Sequence, residues 1–209
     1  MKTALLLIDI QNDYFPGGKM PLENPERAAR NAYTLLQCFR EHGGLHVHIQ
    51  HVSKRAGATF FLPGDPGTNI HDLTAHFEGE PLIQKHYPNA FRETSLLELL
   101  RAWGVERVIL CGMMTHLCVD ATARAAADLG FQVLVAADAC ATRTLTFGDV
   151  TVPAEQVQAA FLAALQAYGQ VLTVEQILTQ LAAERDERIS QSAKQQKRPE
   201  IHTETGKTA

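Results

Sequence analysis

Short apolar runs alternate along the chain with longer segments in which apolar residues recur every three or four positions. Runs of the first kind are typical of buried strands, and spacing of the second kind is typical of amphipathic helices. The apolar runs predict six strands, over residues 3–8, 45–52, 81–85, 105–110, 131–136 and 170–172. The helical spacing predicts five helices, over residues 25–42, 94–103, 121–129, 153–168 and 174–188.

The predicted helices have recognisable starts and stops. Asn24 and Pro25 form an N-cap followed by proline at the first helical position, and glycines such as Gly104 and Gly130 end later helices. Strands that alternate with helices are typical of an α/β fold. We therefore predict a three-layer, Rossmann-like architecture in which a six-stranded parallel sheet lies between helices on both faces.

Two segments fall outside this alternation. Residues 53–80 form a long polar stretch, and loops of that length in compact domains are usually functional or disordered. From Ile189 onward the composition shifts to Ser, Gln, Lys, Thr and Glu, with almost nothing to bury. We predict one domain over residues 1–188 and a polar tail over 189–209 that is disordered or lies on a neighbouring subunit.

Composition and charge exclude several classes of protein. The 209 residues are 45% apolar and 20% charged, which is ordinary for a globular protein. A formal net charge of −4 argues against a nucleic-acid surface, which needs a basic patch. The apolar run over residues 4–8 is too short for a signal peptide or a membrane span. We expect a cytoplasmic protein that binds neither nucleic acid nor a membrane.

The cysteines indicate a reducing compartment and single out one position. Cys38, Cys111, Cys118 and Cys140 show no C-x-x-C spacing, so we expect free thiols. Cys38 falls in a predicted helix, and Cys111 and Cys140 border apolar runs, so these three are interpreted as packing residues. Cys118 lies at or near the start of the helix that follows a strand, where helix N–H groups and the macrodipole favour a thiolate. The competing interpretation is that Cys118 is a small buried hydrophobe, as most free cysteines are.

Three reactive side chains stand at or just past the carboxyl ends of predicted strands, namely Asp9, Lys85 and Cys118. Ligands of open α/β sheets bind at this edge, so neighbouring strands would bring the three groups together. A nearby ammonium favours the thiolate, and a carboxylate can accept the thiol proton and later activate water. The set suits covalent acyl transfer. Taken singly, Asp9 as a loop cap and Lys85 as a solvated strand end are the simpler interpretations.

Three motifs lie around these residues. They are LLIDIQNDYF over residues 6–15, Lys85 followed by NAF over residues 89–91, and GMMTHLCV over residues 112–119. Together they resemble the motifs of the isochorismatase-like cysteine hydrolases, a superfamily that includes nicotinamidases, carbamoylsarcosine amidohydrolases and streptothricin hydrolases. The resemblance extends over roughly residues 3–175, in the expected order and spacing.

This resemblance implies a fold and a set of roles. The fold is a six-stranded parallel sheet between helices, with Asp9 as general base, Lys85 as its partner and Cys118 as nucleophile. A cis peptide between Met113 and Met114 is also implied, which would aim the backbone N–H groups of Met114 and Cys118 into an oxyanion hole.

The chain departs from the superfamily at one position that matters for metal binding. Metal-binding nicotinamidases carry an Asp-x-His pattern after the second strand, where this chain has His51, Val52 and Ser53. We therefore expect no catalytic metal and no cofactor. His46 and His48 share one strand face and His51 follows, so a metal at His46, His48 or His51 stays open, although hydrogen-bonded or exposed histidines are the preferred interpretation.

Residues near the motifs are candidates to line a small-molecule pocket. They are Gln11, Phe15, Phe60, Phe61, Tyr87, Phe91 and His116. Aromatic residues at such places are as often part of the core as part of a pocket wall.

The three motifs favour hydrolysis of an amide-type C–N bond of a small molecule through a Cys118 thioester. Isochorismate-type cleavage of a vinyl ether, with Asp9 as acid, is the alternative enzyme, but it needs no cysteine. A non-catalytic binding protein on the same fold is the third candidate. The superfamily often assembles through helices beside the sheet, so we expect a homo-oligomer.

Overall fold

The centre of the structure, a computed structural model that describes residues 1–196, is an all-parallel sheet of six strands. The strands of the described chain are β1 (Thr3–Ile8), β2 (Leu45–His51), β3 (Leu82–Lys85), β4 (Arg107–Met113), β5 (Gln132–Ala141), β6 (Leu145–Phe147), β7 (Val150–Val152) and β8 (Gln170–Leu172). The sheet order is β3-β2-β1-β4-β5-β8. Strands β6 and β7 form a separate antiparallel hairpin, which the sequence analysis does not predict.

The described residues form five α-helices, α1 (Pro25–Glu41), α2 (Leu96–Ala102), α3 (Asp120–Asp128), α4 (Ala154–Leu165) and α5 (Val174–Gln196). Short 3₁₀ turns cover Asn12–Tyr14, Pro66–Thr68 and Asp72–Thr74, and a π-helical turn covers Thr115–Val119. In the part of the chain that the structure describes, none of the helices has the length and apolar content of a membrane span.

Different helices cover the two faces of the sheet. On one face, Leu6 and Ile8 of β1 share a single apolar cluster with Leu100 of α2 and Ala126 of α3. On the other face, α1 packs against β1, β4 and β5, and its Leu35 is fully buried. A strand that is buried on both faces is apolar throughout, which explains the composition of β1. The predicted α/β class, a parallel sheet covered on both faces, is confirmed.

The contact between β1 and β4 depends on Gly112. In the parallel register, Ile8 of β1 pairs with Gly112 of β4. Gly112 has a φ of +123°, and a Cβ atom at this position would lie 2.0 Å from the carbonyl oxygen of Ile8. Only glycine fits such a close backbone approach. The pairing brings the residues that follow Ile8 and Met113 to the same edge of the sheet.

Strand β5 runs further than its apolar run predicts. The expected end was residue 136, but the strand continues to Ala141. The continuation is possible because the β4–β5 register shifts, after which Met113 pairs with Ala141. This extension places the end of β5 beside the turn that follows β4.

Helix α5 also exceeds its prediction, since it continues past residue 188 to Gln196. Residues 189–196 of the predicted tail are therefore helical, and no glycine or proline interrupts them. The remainder of that tail, residues 197–209, lies outside the described residues. One compact unit covers Met1–Val174, and the residues from Glu175 onward form a unit of their own.

Candidate active site

The side chains of Asp9, Lys85 and Cys118 meet at the carboxyl edge of the sheet. Lys85 Nζ lies 2.7 Å from Asp9 Oδ2 and 3.3 Å from Cys118 Sγ. Asp9 and Lys85 are fully buried, and Cys118 is 3% exposed. The convergence expected from three strand ends is present, and the interpretation of Lys85 as a solvated strand end is wrong.

Asp9 is held by an unusual backbone conformation directly after β1. Its φ of +50° lies in the left-handed region, which non-glycine residues rarely adopt. The backbone N–H of Asp9 donates to the carbonyl oxygen of Ile49 in β2 at 3.0 Å. Strained residues of this kind cluster at functional sites, because the surrounding structure must hold them in place.

The ammonium group of Lys85 is the hub of the cluster. Besides Asp9 and Cys118, Nζ contacts the carbonyl oxygen of Tyr87 and Nδ1 of His51, each at 3.1 Å. Burial by itself lowers the pKa of Lys85, but the neighbouring Asp9 carboxylate, together with the contact to Cys118, outweighs burial and raises the pKa. The ammonium therefore stays charged and faces more acceptors than it has protons to donate.

The surroundings of Cys118 favour the protonated thiol, whereas the sequence favours a thiolate. Burial and the carboxylate of Asp9 raise the pKa of Cys118, and the opposing charge of Lys85 does not compensate. A raised pKa opposes the thiolate that Lys85 and a helix terminus were expected to favour, and it favours a thiol beside the Asp9 carboxylate.

The turn that carries Cys118 is anchored at both ends. It is a π-helical turn, in which the N–H of Val119 donates to the carbonyl oxygen of Met114 at 3.2 Å. The hydroxyl of Thr115 donates to the carbonyl oxygen of Ala141, at the end of β5, at 3.1 Å. The expected cis peptide between Met113 and Met114 is present.

His51 belongs to the cluster, although the sequence analysis considers it only as a metal ligand. It is the last residue of β2, which lies between β1 and β3. Burial and the charge of Lys85 lower the pKa of His51 to about 4. The imidazole is thus neutral near pH 7, and the Lys85 ammonium donates to Nδ1, so the ring proton lies on Nε2. The position of His51 at the end of a central strand was the signal that could have identified it.

The same atoms raise the question of a metal. The ligand atoms of Asp9, His51 and Cys118 lie within 4.8 Å of one another, a spacing that suits a small cation. The Lys85 ammonium, however, contacts all three side chains. A positive charge that belongs to the protein therefore already occupies the position a metal ion would take.

A groove of about 710 Å³ opens beside His51. It is lined by residues 53–60 of the loop after β2, by residues 86–88 after β3, and by His51 and Glu93. Of the candidate wall residues, Phe60 and Tyr87 line this groove. The guanidinium of Arg92 lies 3.6 Å above the ring of Tyr87 and fixes one side of it.

Three other candidate wall residues have structural contacts instead. The side-chain amide of Gln11 donates to the carbonyl oxygens of His51 and Thr68 and accepts from the N–H of His51, so it joins the end of β2 to the following loop. Phe61 is 1% exposed and packs edge-on against Tyr14. Phe91 packs against the apolar core. None of these three residues is among those that line the groove beside His51.

The two remaining candidates for the pocket wall, Phe15 and His116, have other surroundings. Phe15 stacks on His71, with ring centroids 3.6 Å apart, beside a second cavity of about 440 Å³. His116 is half-buried, and its Nδ1 lies 2.6 Å from the hydroxyl of Thr142. Neither residue lines the groove beside His51.

The amino-acid sequence of this chain is similar to those of several known hydrolases. Relatives that act on amides include a maleamate amidohydrolase from Pseudomonas putida, 32% identical over 64% of this chain and 70% of the relative. Nicotinamidase 3 from Arabidopsis thaliana is also 32% identical, over 67% of this chain and 73% of the relative. A streptothricin hydrolase from Streptomyces noursei is 34% identical, but this chain covers only 49% of its length.

Other relatives are similar over almost their whole length. An isochorismatase family protein from Bacillus subtilis, YddQ, is 50% identical and is covered to 99%, with 85% of this chain aligned. A crystal structure from Oleispira antarctica, described as an isochorismatase hydrolase, superimposes with a TM-score of 0.82 at 46% identity, over 85% of this chain and 96% of that one. The isochorismatase domain itself matches residues 3–176. The chain is therefore a member of the isochorismatase family of hydrolases.

Proposed function

We propose that this hydrolase cleaves an amide-type C–N bond of a small molecule, with Cys118 as the nucleophile. The observation that carries the proposal is the buried contact of one ammonium, Lys85, with the Asp9 carboxylate at 2.7 Å and the Cys118 sulfur at 3.3 Å. Relatives that act on maleamate and nicotinamide support an amide as the scissile group.

The first step is transfer of the thiol proton to Asp9. Because the pKa of Cys118 is raised, the thiolate forms as the sulfur attacks the carbonyl carbon and not before. The S–C bond forms as the carbonyl π electrons move onto oxygen. Lys85 stabilises the negative charge on sulfur during attack. The backbone N–H groups of Met114 and Cys118 are our candidates for the donors that stabilise the oxyanion.

The second step breaks the C–N bond. The protonated Asp9 gives its proton to the leaving nitrogen, so that ammonia or an amine departs and a thioester on Cys118 remains. Asp9 is again a carboxylate, as the third step requires. It then removes a proton from water, whose oxygen attacks the thioester. The C–S bond then breaks, and Asp9 returns the proton to the sulfur. The products are a carboxylic acid and the regenerated thiol, and Lys85 keeps its charge throughout.

His51 orients the substrate in this proposal. His51 is one of the residues that line the groove, and Lys85 holds its Nδ1 as an acceptor and thereby leaves Nε2–H as a donor. The backbone of His51 is fixed on both sides by Gln11, at 2.9 Å and 2.7 Å. A fixed, neutral donor at the entrance suits a carbonyl or carboxylate oxygen of the substrate, with Phe60 and Tyr87 as apolar walls.

Release of ammonia from a panel of small primary amides, including maleamate and nicotinamide, tests the proposal. The wild type and Cys38→Ala, a control on a half-buried thiol of α1, should both release ammonia from at least one amide. Cys118→Ala should lose about 10³-fold or more of kcat/KM. Full activity of Cys118→Ala on an amide refutes the thioester route. Cleavage of a vinyl ether by Cys118→Ala would assign the chain to the ether hydrolases instead.

Location and assembly stay predictions. The cysteines of the described residues form no disulfide bond with one another, and we propose a cytoplasmic, reducing environment on the expectation of free thiols from their spacing. Sedimentation of the purified chain tests the expected homo-oligomer.

A further inference from the structure

A second group of ligand-type side chains lies near β2, apart from the cysteine turn. His46 and His48 stand two residues apart on β2 and therefore point to the same side of the sheet. This is the side opposite Val47 and Ile49, which belong to the apolar cluster beneath α2 and α3. The third member is Glu80, which precedes β3.

The spacing of the three side chains suits a metal ion. Nε2 of His46 lies 3.0 Å from Oε1 of Glu80, and Nε2 of His48 lies 3.2 Å from Oε2. All three ligand atoms fall within 4.8 Å of one another. Ligand atoms around a tetrahedral ion with bonds of about 2.0–2.1 Å stand about 3.3 Å apart. Two imidazoles and one carboxylate also form a donor set that zinc uses.

The orientation of His46 gives a second argument. Its Nδ1 lies 3.1 Å from the carbonyl oxygen of Gly44, and a carbonyl can only accept, so Nδ1 carries a proton. The other ring nitrogen, Nε2, is thereby directed at the carboxylate of Glu80, where a cation between the two would contact both. Histidines that bind metals are oriented in this way, by a hydrogen bond from their other ring nitrogen.

The burial of His48 gives a third argument. Its side chain is 1% exposed. Neither of its ring nitrogens has a hydrogen-bond partner of acceptable geometry among the described residues. Burying polar atoms without partners is unfavourable, and native proteins rarely do so. A metal–Nε2 bond would satisfy one of these nitrogens.

Neighbouring residues hold Glu80 in position. Arg40 of α1 donates to both carboxylate oxygens, at 2.7 Å and 2.8 Å, and Nε2 of His76 lies 2.7 Å from the carbonyl oxygen of Glu80. Carboxylates that bind metals are commonly hydrogen-bonded in this manner. An alternative without a metal is a proton on Nε2 of His46, which would lie between the ring and the carboxylate of Glu80.

We propose that His46, His48 and Glu80 form a structural binding site for a late first-row divalent cation, with Zn²⁺ as the preferred ion. A bound ion would tie β2 to the segment that precedes β3, and through Arg40 to α1. That segment follows the loop whose residues 53–60 line the groove. The site lies apart from the Asp9–Lys85–Cys118 cluster, so it concerns the stability of the chain and not the chemical step.

Calorimetric titration of the EDTA-treated full chain with Zn²⁺ tests this site. We expect one equivalent to bind with micromolar or tighter affinity. His46→Gln and His48→Gln should each weaken binding by about 100-fold or more. His42→Gln, which changes an exposed histidine next to α1, and His51→Gln, which changes the other candidate cluster, should leave the affinity unchanged.

Co²⁺ binding supplies a readout that does not depend on any variant. The d–d absorption should indicate nitrogen and oxygen ligands, without a sulfur-to-metal charge-transfer band. Absence of saturable binding would leave the protonated His46 as the cation between ring and carboxylate, and would overturn the proposal. A sulfur band, or loss of binding in His51→Gln with retention in His48→Gln, would assign the metal to the Cys118 cluster and overturn it equally.

Discussion

The Lys85 ammonium lies 2.7 Å from the Asp9 carboxylate, and both side chains are fully removed from solvent. Charges in such a place are tolerated only when they are paired and hydrogen-bonded. The pair therefore has two consequences. It places a carboxylate next to Cys118, where the proposed mechanism uses it as general base, and it contributes to the stability of the sheet edge. Substitutions of Asp9 or Lys85 should therefore change both the free energy of unfolding and the rate of hydrolysis, and the two effects can be measured separately.

Removing one charge of the pair should destabilise the chain strongly. Lys85→Met leaves the Asp9 carboxylate buried and unpaired, so the free energy of unfolding should fall by about 3–5 kcal/mol. Adding Asp9→Asn should recover about half of that loss, because the double variant buries no net charge. Urea denaturation measures the free energy of unfolding of the single and the double variant, and Lys54→Met on the exposed loop is the control. A loss in Lys85→Met no larger than in the control would contradict the pairing.

Asp9 should suppress the reactivity of the resting thiol while it supports turnover. The Asp9 charge raises the pKa of Cys118, so Asp9→Asn should lower that pKa and increase the thiolate fraction at neutral pH. Iodoacetamide should then alkylate Cys118 faster in Asp9→Asn than in the wild type, while amide hydrolysis is lost. Labelling sites are read by peptide mass spectrometry, with Cys38 as the internal reference.

The opposite order of alkylation rates would mean that Asp9 already holds the thiol proton in the resting site. In that case the carboxylate would activate the sulfur before substrate binds, and the first step of the proposed mechanism would be incorrect.

His51 should contribute to substrate binding more than to the chemical step. His51→Leu removes the Nε2–H donor, which should lower kcat/KM about tenfold, mainly through KM, as expected for one lost hydrogen bond. His51→Gln keeps an N–H donor and should stay within about threefold of the wild type. Steady-state kinetics on the best amide separates the two variants. Equal losses in both would indicate a role of the ring in packing alone.

The neutral His51 should make stability depend on pH. Its pKa is about 4 in the folded chain, against an ordinary value of 6.5, so the unfolded chain binds the proton first as pH falls. The contribution of neutral His51 to the free energy of unfolding is complete above pH 6.5 and is lost as the pH falls from 6.5 to 4. After allowance for solvent screening of the partly exposed ring, it is on the order of 2 kcal/mol. Urea denaturation across this window should give a flatter profile for His51→Gln, and identical slopes would refute the assignment.

Gly112 should tolerate no side chain. Gly112→Ala places a Cβ 2.0 Å from the Ile8 carbonyl oxygen in a left-handed conformation, so it should cost about 3 kcal/mol or prevent folding. Gly148→Ala, at the β6–β7 turn, shares a positive φ but meets no atom within 4 Å, and should cost about 1 kcal/mol. Thermal unfolding compares the two. Equal losses would show that conformation alone, and not the strand contact, requires glycine at 112.

The sheet and the reactive cluster were accessible from sequence because both follow from periodicity. Buried strands are apolar runs, and the carboxyl ends of parallel strands share an edge, so Asp9, Lys85 and Cys118 were expected to be close. The β6–β7 hairpin was missed because its strands are three residues each and largely exposed, which leaves little apolar signal.

The pKa values of the site residues could not be predicted from the sequence pattern. The pKa of Cys118 depends on how completely the sulfur is buried and on its distance from Asp9, and neither quantity is encoded in local pattern. The roles of Gln11 and Phe91 likewise depend on partners far along the chain, Thr68 for Gln11 and Phe131 for Phe91. Contacts of this kind cannot be inferred from proximity to a motif along the sequence.

Rapid-quench mass spectrometry of the intact chain, mixed with an amide that it hydrolyses, tests the central claim most directly. We expect a transient mass increase equal to the acyl group, located on the peptide that contains Cys118, at the expense of the free thiol. The adduct should be absent from Cys118→Ala and present in Cys38→Ala. Turnover of the amide by the wild type under conditions that capture other thioesters, with no adduct on Cys118, would contradict the account.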